Sequence, residues 1–332
     1  MRLAFWSLSF LLALSRLASA EILHVADLNT RQIRALDRGK TVVLLPGGFL
    51  EEHGPYLPAF TDGILSDRLT KELARAIAAK RAGWTVLVFP QITVGSSGSN
   101  ELGGHFTFPG TYAVRPATLR AVFMDLASEL GDQGFRWIFV VHVHGAPLHN
   151  RALDEAGDFF RDTYHGTMVH LWGLVPVLGG WGDALQSLTD AQKKEEGVSL
   201  HAGMDETSLM LYLRPDLVSP AFKKAAVVTG HTLQESFDVT KPADWDGYLG
   251  SPRLGSAAMG KKIWTSFASA ATDHALKILD GTDPAQFQRY ADLLAKNPLY
   301  QQWIKAAADR DASLGAKQSD WLRKRDQKES GR

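Results

Sequence analysis

Short apolar runs alternate with longer amphipathic segments along the first half of the chain, and this alternation limits the possible folds more than any other feature. The apolar runs cover residues 41–45, 84–89, 137–143 and, more weakly, 167–174. The segments between them, which carry apolar residues at helical spacing, cover residues 65–82, 118–130 and 150–164. Apolar strands that alternate with helices predict a parallel sheet covered on both faces. Ligands of such a sheet bind beyond the carboxyl ends of its strands, so we expect the site there.

The first 20 residues have the layout of a secretory signal peptide. Arg2 precedes an apolar run over residues 3–14, and small residues follow up to an Ala-Ser-Ala sequence that ends at Ala20. The run is shorter than the roughly 20 apolar residues that a membrane-spanning helix needs. We predict cleavage after Ala20 and a periplasmic or secreted mature protein that begins at Glu21. An uncleaved anchor or a buried first helix is the alternative.

Charge and cysteine content narrow the classes of partner and cofactor. The chain has 36 basic and 36 acidic residues, and removal of residues 1–20 takes away two arginines and no acid. The mature chain of 312 residues then has 34 basic and 36 acidic residues, a net charge of −2. This balance indicates neither nucleic acid nor a membrane surface as a partner. Because the chain has no cysteine, any metal ion must be held by histidine, aspartate and glutamate.

The second half of the chain is expected to be mostly helical. Residues 255–279 form a long amphipathic segment, and Asp283-Pro284 offers an N-cap and a first-turn proline for another helix. We expect one domain over residues 21–308. Residues 309–332 are charged and contain few large apolar side chains, so we expect a partly ordered, charged tail there.

The loop after the first apolar run contains the first candidate metal ligands. Glu51 and His53 are two residues apart, which places both side chains on the same side of an extended segment. Asp62 stands just before the next helical pattern, and its two carboxylate oxygens are able to bridge two ions. Either Glu51 or His53 alone would most simply be a solvated surface residue. The cluster, set among glycines and prolines, instead predicts a site for Zn²⁺ or Mn²⁺.

Two further segments add candidate ligands. The third apolar run ends with His142 and His144, which share one face of the strand. A core histidine bonded to backbone is the alternative for each, and it is favoured for His142. Farther along, His201 precedes Asp205 and Glu206 at the start of an apolar helical segment, where the helix dipole stabilises a carboxylate. A simple helix-start acid is the alternative there.

Taken in order, these segments resemble the creatininase (creatinine amidohydrolase) family. The matching motifs, which lie between about residues 44 and 252, are Glu-x-His-Gly-Pro-x-Leu-Pro and Thr-Asp within 51–62, His-Phe-Thr-Phe-Pro-Gly-Thr at 105–111, His-Gly at 144–145 and His-Ala-Gly-x-x-Glu-Thr-Ser at 201–208. The resemblance implies a three-layer α/β/α sandwich with a mainly parallel sheet. It also implies two divalent metal ions, zinc or manganese, and a homo-oligomer that is often a hexamer.

The resemblance also implies a ligand set. Carried over by position, one ion would be held by Glu51, Asp62 and His144, and the other by His53, Asp62 and Glu206. The chain departs from the family pattern at Ala146, where creatininase has a second glutamate, so Glu206 would have to serve in its place. This departure puts the substrate in doubt but leaves the metal chemistry intact.

The resulting hypothesis is hydrolysis of a C–N bond in a small cyclic or linear amide by a metal-activated hydroxide. The candidate catalytic residues are His201, Glu206 and His105. His201 would protonate the leaving amine as a general acid, and His105 would either hydrogen-bond the substrate or brace its own turn. Two alternatives remain: deformylation of an N-formyl amine, and a non-catalytic exported metal- or ligand-binding protein that has lost the second ion.

Overall fold

The computed structural model describes residues 20–183, 186 and 188–330 of the chain. The predicted signal peptide therefore lies outside the described residues, apart from Ala20. Within them the strands are β1 (Glu21–His24), β2 (Thr41–Pro46), β3 (Thr85–Val88), β4 (Trp137–Val141) and β5 (Thr167–His170). The α-helices are α1 (Thr30–Arg34), α2 (Thr61–Lys80), α3 (Pro116–Asp132), α4 (Pro147–Tyr164), α5 (Val175–Asp183), α6 (Asp190–Glu196), α7 (Met204–Leu213), α8 (Leu233–Asp238), α9 (Ala257–Leu279), α10 (Tyr290–Leu294) and α11 (Pro298–Ser330).

The strands form one sheet in the order β1-β3-β2-β4-β5, and every neighbouring pair is parallel. β2 lies at the centre, with Val43 in register with Leu87 on one side and Ile138 on the other. All six residues of β2 are buried, as expected of a strand that is covered on both faces. The predicted parallel α/β fold is confirmed.

Helices cover both faces of the sheet. Successive residues of β2 point to opposite faces, so Val42 and Leu44 belong to one core and Val43 and Leu45 to another. The first core packs the sheet against α2, α5, α7 and α9, and the second packs it against α3 and α4. The result is the α/β/α layering that the alternating sequence pattern predicts.

Two local features differ from the sequence-based expectations. β1 was not expected, because its four residues form an edge strand that is mostly exposed and carries no apolar run. The helix expected after Asp283 is a single 3₁₀ turn over Pro284–Gln286, in which the Asp283 carboxylate accepts a hydrogen bond from the Ala285 amide at 2.9 Å. The chain reaches its last long helix only at Pro298.

The expected charged tail is helical in the structure. Residues 309–330 form the outer part of α11, a helix of 33 residues. Ion pairs one helical turn apart support it, such as Lys305 with Asp309 and Lys324 with Asp320, and such pairs stabilise an exposed helix. No helix among the described residues is long and apolar enough to cross a membrane.

Candidate metal centre

The candidate site lies where the direction of the chain connections reverses. From β2 the chain continues into α2 on one face of the sheet, and from the neighbouring strand β4 it continues into α4 on the other face. The loops that leave the two strands therefore diverge and open a crevice at their carboxyl ends, which is where open α/β sheets bind ligands. Gly47, just after β2, packs directly against the His142 ring, where a Cβ atom would lie only 1.8 Å from that ring.

Asp62 is at the centre of the site. Its Oδ1 atom lies 3.3 Å from His53 Nε2, and its Oδ2 atom lies 3.1 Å from His144 Nδ1. The residue is buried in the first turn of α2, where the helix dipole stabilises a negative charge. The two oxygens of one carboxylate thus face two different histidines, which is the arrangement expected of a ligand that bridges two ions.

The first potential site joins Glu51, Asp62 and His144. Glu51 Oε2 lies 3.0 Å from His144 Nδ1, and one ligand atom from each residue lies within 4.8 Å of the others. The second oxygen of Glu51 accepts a hydrogen bond from the Ser99 amide at 2.5 Å. The three ligands come from the loop after β2, the start of α2 and the loop after β4, so the fold rather than local sequence brings them together.

The second potential site joins His53, Asp62 and Glu206. Glu206 Oε1 lies 3.7 Å from His53 Nε2, and the three ligand atoms again lie within 4.8 Å of one another. Glu206 Oε2 accepts a hydrogen bond from the Ala202 amide at 2.5 Å. The carboxylate is therefore fixed with its free oxygen directed at His53.

Unpartnered polar atoms show that these residues suit cations. His53 Nε2 and Asp62 Oδ2 are buried without a hydrogen-bond partner among the described residues. Leaving a buried polar atom without a partner costs about 1–3 kcal/mol, and a metal ion removes that cost by accepting the lone pair. The donor set contains only imidazole and carboxylate groups, which Zn²⁺ and Mn²⁺ both accept. The predicted ligands are thus gathered into two adjoining sites that share Asp62.

Backbone carbonyls orient the two histidines. His53 Nδ1 lies 3.1 Å from the Glu51 carbonyl oxygen, and His144 Nε2 lies 3.2 Å from the Ser97 carbonyl oxygen. If each of these nitrogens carries the proton, the other ring nitrogen presents its lone pair to the centre. Such outer hydrogen bonds are the usual way in which proteins fix the orientation of histidine ligands.

Two of these supporting groups lie on strained backbone. Ser97 and Ala202 have φ angles of +63° and +51°, a region that residues other than glycine rarely adopt. The Ser97 carbonyl faces His144, and the Ala202 amide donates to Glu206. Strained backbone is concentrated at functional sites, where the surrounding structure holds it in place, and here each strained residue positions a candidate ligand.

The metal-free cluster is strongly polarised. Burial lowers the pKa of His53, but the neighbouring carboxylates of Glu206 and Asp62 outweigh this effect and hold the pKa well above its usual range. In the same way, Glu51 and Asp62 outweigh burial at His144 and hold its pKa well above the usual range. Burial raises the pKa of Glu51, yet the neighbouring histidines hold it well below its usual range. Metal binding would displace the histidine protons, since a ligand must offer a lone pair.

His201 lies beside both sites. Its Nδ1 atom is 3.9 Å from Glu51 Oε1 and 3.9 Å from Glu206 Oε2, and it forms a third potential ligand group with Glu51 and His53. Its Nε2 atom is 2.6 Å from the Glu52 carbonyl oxygen and 3.4 Å from Glu52 Oε2. Burial lowers the pKa of His201, but the carboxylates of Glu52 and Glu51 outweigh it and raise the pKa to about 9.

The structure does not bring every sequence candidate to the centre. His105 Nε2 lies 2.8 Å from the Thr240 carbonyl oxygen, and its ring stacks on Trp245, so its ring is engaged with the 240–245 segment and belongs to none of the candidate ligand groups. His142 is buried beside the Phe123 ring, and neither of its ring nitrogens is hydrogen-bonded to a residue that the structure describes. Glu52 was not predicted as a site residue. The sequence pattern pointed to Glu51 and did not indicate that the adjacent glutamate would face His201.

A cavity of about 290 Å³ opens onto the centre. Glu51, Asp62, His144 and Glu206 line it. Trp181 also lines it and donates a hydrogen bond from Nε1 to Asp205 Oδ2 at 3.0 Å. Asp205, which accepts this hydrogen bond, also lines the cavity. It belongs to none of the candidate ligand groups.

Several proteins are similar to this chain in sequence or in fold. Creatinine amidohydrolase of Pseudomonas putida is 31% identical over 210 residues, which are 58% of this chain and 73% of the relative. Mycofactocin precursor peptide peptidase of Mycolicibacterium smegmatis is 29% identical over 262 residues, 75% of this chain and 92% of the relative. The zinc–zinc form of a glutamate-to-glutamine mutant of creatininase matches with a TM-score of 0.56 and 25% identity, over 77% of this chain and 97% of its own.

The family model covers the whole of the site. Residues 26–274 match the model for creatininase, described as creatinine amidohydrolase, and they include every candidate ligand. This match extends over three quarters of the chain. The chain therefore belongs to the creatininase family, and it is a hydrolase that acts on carbon–nitrogen bonds.

Proposed function

We propose that this protein is an exported amidohydrolase that uses two divalent ions, zinc or manganese, to hydrolyse the C–N bond of a small cyclic or linear amide. The observation that carries the proposal is the position of Asp62, whose two oxygens face His53 and His144 at 3.3 Å and 3.1 Å. One buried carboxylate between two ligand groups fits a pair of ions better than a single ion.

Each residue of the site would have a separate role in the reaction. Two bound ions would lower the pKa of a water molecule and polarise the amide carbonyl. Glu51 and Glu206 would each contribute one oxygen to the centre, because a backbone amide already holds the other. His201 would give a proton to the leaving amine from Nδ1, while its Nε2 atom remains fixed against Glu52.

A small amide is the substrate class that the site supports best. The cavity volume, about 290 Å³, is at the lower end of the range for pockets that bind small molecules. One relative is named for creatinine and another for a precursor peptide, so membership of the family leaves both classes open. Ala146, at the position where creatininase has a second glutamate, makes creatinine itself a less favoured substrate than other small amides.

Deformylation of an N-formyl amine is the second candidate reaction. A formamide also has an amide carbonyl next to a C–N bond, and it is small enough for the cavity. The same centre would carry out both reactions, so substrate comparison has to distinguish them.

Export and assembly complete the proposal. The layout of residues 1–20, with a basic start, a short apolar run and a small-residue cleavage sequence, supports removal of a signal peptide and a periplasmic or secreted location. The family resemblance supports a homo-oligomer, and analytical ultracentrifugation of the mature chain would measure its size.

Metal analysis combined with a substrate panel tests the proposal. The mature protein would be saturated with Zn²⁺ or Mn²⁺, freed of excess metal and analysed for ions per chain. It would then be assayed with creatinine, simple linear amides and N-formyl amines. We expect two ions per chain and hydrolysis that chelation abolishes and metal restores. One tightly bound ion without hydrolysis of any amide would instead favour the non-catalytic binding protein.

A further inference from the structure

One wall of the cavity comes from a part of the chain that lies beyond the family match. The match ends at residue 274, whereas Tyr290 of α10 and Tyr300 and Trp303 of α11 line the cavity together with the metal-site residues. We call these three aromatic residues the C-terminal wall. The candidate metal ligands and this wall therefore come from different segments of the chain, so the residues of the wall can change without changing the ligands.

The C-terminal wall is packed in a fixed position. Tyr300 and Trp303 are 7% and 8% exposed, and their ring centroids are 6.0 Å apart. They belong to one apolar cluster with Ala146 and Phe237, against which Leu102 packs. The side of the cavity next to the His144 loop is therefore apolar and aromatic.

A hydrogen bond ties the wall to the loop after β3. Trp303 Nε1 donates to Glu101 Oε2 at 3.1 Å. The neighbouring residues Ser99 and Leu102 line the cavity, and the Ser99 amide also donates to the metal-site residue Glu51. The C-terminal wall is thus connected to the centre through residues 99–102.

We infer that the C-terminal wall determines substrate size: it limits the centre to small amides that carry a flat or apolar group and excludes extended peptide chains. The inference rests on the proposed function, since it concerns the same cavity. Aromatic faces contribute apolar contact and favourable stacking to a flat group. Tyr300 and Trp303 fill the side of the cavity next to the His144 loop, so a peptide chain bound at the ions would have no room on that side.

Binding of graded hydroxamates tests the inference without requiring turnover. A hydroxamate chelates a metal ion through two oxygens, so its side group occupies the cavity. Calorimetry on the zinc-loaded protein would compare acetohydroxamate and benzohydroxamate with an N-acyl-dipeptidyl hydroxamate. We expect the wild type to bind the smaller compounds at least about tenfold more tightly than the dipeptidyl compound, as steric exclusion from a pocket gives at least that factor. In Trp303→Ala this ratio should fall to about one.

Two further variants make the result decisive. Trp321→Ala removes a tryptophan from the same helix that is 61% exposed and does not line the cavity, and it should keep the wild-type ratio. Trp303→Leu removes the ring but keeps apolar bulk, and it provides the measurement if Trp303→Ala does not fold. The inference is wrong if the wild type shows no size preference, or if a folded, zinc-loaded Trp303 variant keeps it. A wild type that keeps the preference but hydrolyses no amide would refute the proposed function alone.

Discussion

Replacing Glu206 with glutamine tests the assignment of the second ion most directly. The substitution keeps the size of the side chain and removes its negative charge. Glu206 Oε1 faces His53 Nε2 at 3.7 Å, while Oε2 is held by the Ala202 amide. The first group, Glu51, Asp62 and His144, is left unchanged. We therefore expect one ion to stay tightly bound and the second to become weak.

The size of the effect follows from the lost charge. Removing a unit charge about 4 Å from another unit charge changes their interaction by about 4 kcal/mol at an effective dielectric constant of about 20. The glutamine carbonyl oxygen retains part of the interaction with the ion. We therefore expect the affinity for the second ion to fall by roughly 10²- to 10³-fold. Activity should fall with it and recover partly in excess metal, because mass action refills a weakened site.

Asp205→Asn is the matched control, since it removes the charge of the adjacent acid. Asp205 accepts hydrogen bonds from Trp181 Nε1 and Ser199 Oγ rather than facing the centre. Both variants would be loaded with Zn²⁺, dialysed against a graded series of chelator concentrations and analysed for zinc. Loss of one ion in Glu206→Gln but not in Asp205→Asn is the expected result. The ligand assignment is refuted if Glu206→Gln loses activity with both ions still tight, or if the two variants behave in the opposite way.

Three further predictions concern the bridge, export and a buried acid. Asp62→Asn should reduce zinc to below one ion per chain by elemental analysis and abolish hydrolysis; two retained ions would show that Asp62 is not the bridge. N-terminal sequencing of protein expressed in a Gram-negative host should start at Glu21, and intact Met1 in the soluble cytoplasmic fraction would contradict export. Burial raises the pKa of Glu101 to about 7, so the metal-free native state binds this proton more tightly than the unfolded state and loses stability as pH rises from about 5 to 8. Between pH 5 and 8 the free energy of unfolding of Glu101→Gln should fall by roughly 1–3 kcal/mol less than that of the wild type. The melting temperature of the variant relative to the wild type should therefore rise with pH, and a difference that does not change with pH would refute the prediction.

The sequence predicted the sheet well because its strands are buried on both faces. β2 and β4 appear as unbroken apolar runs, and the helices between them show apolar residues at regular spacing. β1 left no such signal, because only one of its four residues is even partly buried. The outer part of α11 was also not recognised, since charged residues that pair along an exposed helix have the same composition as a disordered segment.

The metal ligands were predictable for a different reason. Glu51, His53 and Asp62 lie close together in sequence among glycines and prolines, and the family resemblance supplied His144 and Glu206. The structure brings these residues together, but their grouping depends on segments around residues 51–62, 144 and 206 that no local pattern connects. Trp303 was not predicted, because nothing in residues 290–307 indicates that they return to a site more than 200 residues away.

The centre concentrates features that a stable protein otherwise avoids. Buried charges, polar atoms without partners and two strained residues, Ser97 and Ala202, lie around Asp62. Each of these destabilises the metal-free fold, and metal ions would remove the first two costs by neutralising the carboxylates and accepting the free lone pairs. The strain would remain, because it orients the groups that hold His144 and Glu206. Metal affinity and folding stability should therefore be linked, so that a variant which weakens one ligand lowers the melting temperature of the metal-loaded protein more than that of the metal-free protein.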